Sequence, residues 1–187
     1  CDDGIDCTLN SCDEADDVLI TTANGRAIRF PTTDVRVFAG RDSTGVRGVR
    51  LLGDDRVVSM AVIRHFDATS EERAAYLKMR RAVEGGGEDE EDAGSDEEPV
   101  ADIALSQERY AEMSAADETI LTITSKGLGK RSSSHEYPVR GRGGQGVSAA
   151  NLTARKNDPD RRDATIVAAW PVGPDDQVML VTDKGQS

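Results

Sequence analysis

The chain has 187 residues, 35 acidic and 23 basic side chains, and a formal net charge of −12, which leaves room for one large domain or two small ones. No apolar run approaches the roughly 20 residues of a membrane span, and neither end carries a basic stretch followed by an apolar leader. An aromatic content of 4% provides few of the stacking platforms that single-stranded nucleic acids require.

The chain opens on Cys1 and stops at Ser187 within a hydrophobic-then-turn pattern, so a piece of a longer polypeptide is expected, soluble by its lack of a membrane span and cytoplasmic by its cysteines. Cys1, Cys7 and Cys12 are odd in number, form no CxxC pair and have no histidine at finger spacing. They read as reduced thiols rather than as a disulfide framework or a metal site. Charge is unevenly spread. Residues 1–17 hold seven acids and no base, and residues 71–118 hold 16 acids and five bases. Residues 18–70 and 119–187 each carry +3. The patterned parts are mildly basic, and the local field decides what they attract.

The first patterned segment is DDVLITTANGR (Asp16–Arg26), an acidic pair, a β-prone apolar run, a Thr, turn residues and a Gly. The same order recurs from Asp117 to Leu128 and from Asp175 to Gln186. A β-branched run meeting Asn-Gly or Lys-Gly predicts a strand entering a tight hairpin, with Gly25, Gly127 and Gly185 at the turns. Exit strands are predicted at Arg26–Phe30 and Leu128–Ser132, with Arg29 and Arg131 at matching places. Next comes a repeated turn, GRDSTGV (Gly40–Val46) and GRGGQGV (Gly141–Val147), at an offset of 101 that matches Arg41 with Arg142 and Gly45 with Gly146. A further apolar strand follows each, at Arg56–Ile63 and Ala164–Val172.

Gly25, Gly127 and Gly185 are spaced by 102 and then 58 residues. Excising the odd segment from His65 to Ala116 leaves a common period of roughly 50–60 residues, enough for about four short strands, as in a propeller-like array. That segment reads as an insertion in a blade loop. Thr69 and Glu72 form a capping box ahead of a charged helix, Glu71–Val83, stopped by Gly85, Gly86 and Gly87. The acidic run Glu88–Glu98 is expected to be disordered, and Ala101–Ala115 to form a second helix. The expected division is therefore residues 1–64 as the end of one blade and most of the next, 65–116 as the insertion, and 117–187 as the following blade and the start of another.

VLITTANGRAIRF with TGVRGVRL (Val18–Phe30, Thr44–Leu51) and SKGLGKRSSSHEYPVRGRGGQGV (Ser125–Val147) resemble the C-terminal domain of the DNA gyrase A protein. In that family such phrases close each four-stranded blade. The resemblance implies an all-β fold, a β-pinwheel of which this chain spans about three blades, with double-stranded DNA wrapped on its basic rim. The family's diagnostic turn reads Gln-Arg-Arg-Gly-Gly-Lys-Gly. Here RGRGGQG (Arg140–Gly146) keeps Arg142, Gly143, Gly144 and Gly146 and departs at Arg140, Gly141 and Gln145, as an interior blade would. The resemblance also implies a bacterial, nucleoid-associated protein that joins the gyrase B protein in an A2B2 heterotetramer. ATP and magnesium would belong to other parts of that assembly, and no cofactor to this chain. The corresponding wheel of topoisomerase IV, or a propeller scaffold that binds protein without DNA, are the alternatives.

On this reading the DNA-contacting candidates are Arg29, Arg41, Arg47, Arg50, Lys130, Arg131, Arg140 and Arg142. Glycine-rich turns let backbone N–H groups approach a phosphate, and an adjacent Arg adds a charge-assisted contact. Turn geometry alone also accounts for Gly25, Gly45, Gly127, Gly146 and Gly185. His65 and His135 lack a partnered nucleophile in the sequence, no covalent role falls to Tyr76, Tyr110 or Tyr137, and neither acidic pair, Asp54 with Asp55 or Asp175 with Asp176, has the further oxygen ligands a metal needs. No catalytic or metal-ligating residue is expected.

Overall fold

The structure, a computed structural model, describes residues 16–38, 40–84, 104–152, 164–181 and 185. In the first hairpin β1 (Asp16–Thr22) runs antiparallel to β2 (Arg26–Pro31). Val18, Ile20, Thr21 and Thr22 favour the extended backbone, and Gly25 turns the chain at φ 83°. Strand β3 (Val57–Arg64) pairs with the other side of β1. The second hairpin repeats the plan, with β4 (Thr119–Thr124) between β5 (Gly129–Ser133) and the later β7 (Ile166–Val172).

The repeat extends to irregularities. The ladder between β1 and β3 slips between Thr21 and Thr22, and that between β4 and β7 slips between Ile123 and Thr124, the equivalent step. One 3-10 turn follows each hairpin, Thr32–Asp34 and Ser134–Glu136. A bulge strengthens local twist, so its recurrence gives both sheets the same curl.

The blades are not finished in chain order. Strand β6 (Val147–Ser148), from the second unit, pairs with Ala27 and Arg26 of β2 and makes the first sheet four-stranded, in the order β3-β1-β2-β6. The second sheet has three strands, β5-β4-β7. Leu19, Ala27 and Ile63 of the first sheet pack with Ile120 and Ile166 of the second, and Tyr137 and Ala149 complete that core. The outward face of the first sheet, Val18, Ile20, Ile28 and Phe30, is covered by Val49.

The insertion folds as two helices seated on the corner of the second blade. Helix α1 (Ser70–Glu84) begins with the expected box, in which the Thr69 amide donates to Glu72 Oε2 (2.9 Å) and the Glu72 amide to Thr69 Oγ1 (3.2 Å). Helix α2 (Gln107–Ala116) starts later than Ala101, where the Ser106 hydroxyl accepts the Arg109 amide. Tyr76, Met113 and His135 are buried together, the Tyr76 and His135 rings meeting edge to face at 4.9 Å. Asp117 ties the insertion to the blade, accepting from Tyr76 Oη and Arg80 on one oxygen and from Ser133 and Ser134 on the other.

Two expectations require correction. The apolar run of the third unit, Val178–Val181, forms no strand and is exposed, because no described strand lies beside it to pair with. The second helix begins at Gln107, and residues 104–106 of its expected span are not helical. The three cysteines, the glycines 85–87, the acidic run 88–98 and residues 101–103 lie outside the described residues.

Candidate nucleic-acid interface

The second glycine-rich turn docks on the segment that follows the first copy, Arg47–Arg50, on the outward side of the first blade. The Arg50 amide donates to Gly144 O (2.8 Å) and the Gly143 amide to Gly48 O (2.6 Å). Arg142 reaches back with its guanidinium, Nε to Asp34 O at 3.0 Å and Nη1 to Arg47 O at 3.3 Å. The Arg140 amide donates to Arg29 O (2.8 Å) on β2. Arg47, Arg50, Arg140 and Arg142 are therefore gathered on one pair of docked loops, and all four are exposed. Arg41 is exposed further along the first loop.

All five predicted turn glycines take positive φ. At Gly146 (φ 71°) the backbone passes so close to β2 that a Cβ would run into the Ala27 carbonyl. Its geometry explains it fully. Gly48, which sequence reasoning passed over, is also tight, since a Cβ there would lie 2.7 Å from Ile20 Cδ1, but that atom ends a flexible side chain and can yield where the Ala27 backbone cannot. The only available signal was its place between Arg47 and Val49, two residues from Val46.

The remaining candidates lie elsewhere. Lys130 is half-buried and sits 3.6 Å from Glu136. Arg131 is exposed on β5, opposite Leu121 in register. Arg29 overturns its assignment as a DNA contact, for it is only 3% exposed. Its Nε donates to Asp17 Oδ2 at 2.6 Å, and its other nitrogens reach the carbonyls of Ser134, Tyr137 and Arg64. The equivalent Arg131 is exposed because no blade covers its face among the described residues.

The histidines serve structure. His135 Nε2 donates to Met113 O at 2.9 Å, which fixes its tautomer, and burial holds its imidazole below the ordinary range. His65 bridges Asp17 Oδ1 (2.8 Å) and Asp67 Oδ1 (3.1 Å). Burial lowers its pKa, but hydrogen bonds and charge from Asp17, then Asp67, outweigh that and raise it above 6.5. Its contribution to stability is thus complete below pH about 6.5 and is lost as pH rises through the raised value. The Tm gap between the natural protein and His65→Gln should therefore shrink from pH 6 to pH 8, and an equal gap at both would contradict the bridge. His135 is present in both proteins and cancels. Burial pushes the Tyr137 hydroxyl up to about 12, and Tyr76 is raised likewise. Among the described residues no group of three or more His, Cys, Asp or Glu is placed to hold a metal ion, and no helix is long and apolar enough to cross a membrane.

Two antiparallel blades built on the same hairpin plan, the first completed to four strands by the segment that leaves the glycine-rich turn of the next unit, define a propeller-like, pinwheel class of domain. The profile of the DNA gyrase C-terminal domain, a beta-propeller, matches residues 16–64 and 118–158, and the chain is similar to that family over those residues. It is 46% identical over 186 residues to the DNA gyrase A protein of Granulibacter bethesdensis and 39% identical over 183 residues to that of Rickettsia bellii. Those alignments cover 94% and 95% of this chain and 19% of each relative. A solved DNA gyrase A C-terminal domain aligns at TM-score 0.45 and 17% identity, covering 87% of this chain and 33% of that one.

Proposed function

We propose that this chain is a DNA-binding, DNA-bending module of the DNA gyrase A protein. The observation that carries this reading is the gathering of Arg47, Arg50, Arg140 and Arg142 on two glycine-rich loops that face outward from the first blade. Exposed guanidinium groups on a protein edge fit the phosphates of a duplex, and such contacts carry little base information. Curving a duplex around that edge costs about 1–6 kcal/mol per 20–30 bp, which many weak contacts must offset. The relatives' name supports the wider role, in which the wrapped duplex gives ATP-driven strand passage its direction and so yields negative supercoiling. The gyrase B protein is the partner in that reading, ATP and magnesium act outside this chain, and the setting is the nucleoid in bacterial cytoplasm.

Duplex affinity of the intact polypeptide, measured from 50 to 200 mM salt on two unrelated sequences, tests the reading. If the four arginines neutralise four phosphates, log K should fall against log salt with a slope of about −3.6 or steeper, equally for both sequences. A slope near zero would favour a scaffold that binds protein and not DNA.

A further inference from the structure

Arg29 is buried, yet it touches both the corner that leads into the second glycine-rich turn and the first residue of that turn. We propose that Arg29 is the positioning residue of the Arg140–Gly146 turn, fixing both where the turn leaves the second blade and where it lands on the first. Its side chain holds the point of departure. Nη1 donates to Ser134 O at 2.9 Å and to Tyr137 O at 3.5 Å, the carbonyls of the corner just before the turn. Its backbone holds the landing. The Arg29 carbonyl accepts the Arg140 amide at 2.8 Å, and Val139 forms a parallel bridge with Arg29.

The guanidinium is itself immobilised. Asp17, fully buried on β1, accepts Nε at 2.6 Å, and Arg64 O at the root of the insertion accepts Nη2 at 2.7 Å. One side chain thereby joins β1, β2, the end of β3 and the corner of the second blade. A planar fork with donors in fixed directions can serve these acceptors together, and a lysine ammonium cannot. Arg140 and Arg142 inherit their place from this clamp, although Arg29 meets no ligand.

Arg29→Lys keeps a positive charge beside Asp17 and removes the fork. In the intact polypeptide this variant should exchange the Arg140 and Gly143 amide protons roughly 10- to 100-fold faster, the scale of losing hydrogen bonds to a charged group, with the amides between β4 and β5 unchanged. Unaltered exchange at Arg140 would overturn the proposal. The paired neutral variant Asp17→Asn/Arg29→Gln avoids stranding one buried charge and should give the same loosening. In the natural protein, exchange of the Arg140 amide as fast as that of an unprotected loop would overturn it whether or not either variant folds.

The link to DNA rests on the function proposed above. In Arg29→Lys, end-to-end compaction of a bound duplex should fall while the salt slope of binding stays the same. Because lysine keeps the charge, direct contact is read in the neutral pair Asp17→Asn/Arg29→Gln, where a slope reduced by about 0.9, the loss of one phosphate contact, would show that Arg29 meets DNA itself and would overturn the positioning role. Faster exchange at Arg140 with unchanged DNA compaction would leave the clamp standing and remove the DNA reading of the turn.

Discussion

Replacing Arg47, Arg50, Arg140 and Arg142 together by alanine should reduce the log–log salt slope of duplex binding by about 3 to 4. Each guanidinium that neutralises a phosphate releases a condensed counterion, so the slope counts contacts, whereas affinity at one salt concentration mixes them with everything else. The four are the right set because the loops bring them together and leave them exposed. Lys130 and Arg131 supply the internal comparison. Lys130 is drawn toward Glu136 and Arg131 stands on the second blade, so their double replacement should change the slope by less. Arg142 also binds the carbonyls of Asp34 and Arg47, and a melting curve of the quadruple variant separates loss of charge from loss of the loop. A slope equal to that of the natural protein, in a variant that melts normally, would sink the interface.

The second large effect is on stability. Asp17→Asn leaves the Arg29 guanidinium buried without its counter-charge, and breaking a buried ion pair in this way costs about 3–5 kcal/mol. Against the roughly 5–15 kcal/mol that holds a domain folded, such a loss would show plainly in chemical denaturation. Asp17 is inaccessible and Arg29 nearly so, so water cannot replace the lost partner. The double variant Asp17→Asn/Arg29→Met should be less unstable than the two single variants combined, because the second change removes the orphaned charge. Strict additivity would mean that the pair does not act as a unit.

The hairpins, the helix α1 and the turn copies were readable because each rests on local chemistry. β-branched runs meeting a glycine make hairpins wherever they occur, and the Thr69–Glu72 box needs only four residues. Strand β6 was not readable. Two residues, Val147 and Ser148, carry no periodicity, and they become a strand only by lying beside Arg26 and Ala27. The matched bulges were hidden for the same reason, being properties of a ladder between distant strands.

The misreading of Arg29 has a physical lesson. Its match with Arg131 in the repeat suggested a shared surface role, yet matched positions differ in burial when one face is covered and the other is not. A signal was available in parity. Asp17, Leu19 and, across the hairpin, Arg29 share one face of the first sheet, and Leu19 belongs to the core. A charge on the core side of a strand needs a partner, and Asp17 was the acid on that side. The exposed arginines were legible as a group, but their gathering on the first blade required the later turn to cross back.

That crossing has a consequence for how the chain is made. Arg29 and Tyr137 are 108 residues apart, and Arg26 waits still longer for Ser148. Contacts so distant in sequence form slowly because a long loop must be closed before they reward the closure. On a ribosome adding about 5–20 residues per second, the outer edge of β2 emerges several seconds before the segment that covers it. An unpaired edge is a template for pairing with another chain. The nascent first blade is thus most exposed to misassociation while the insertion is being synthesised, and least so once Val147 and Ser148 have left the exit tunnel.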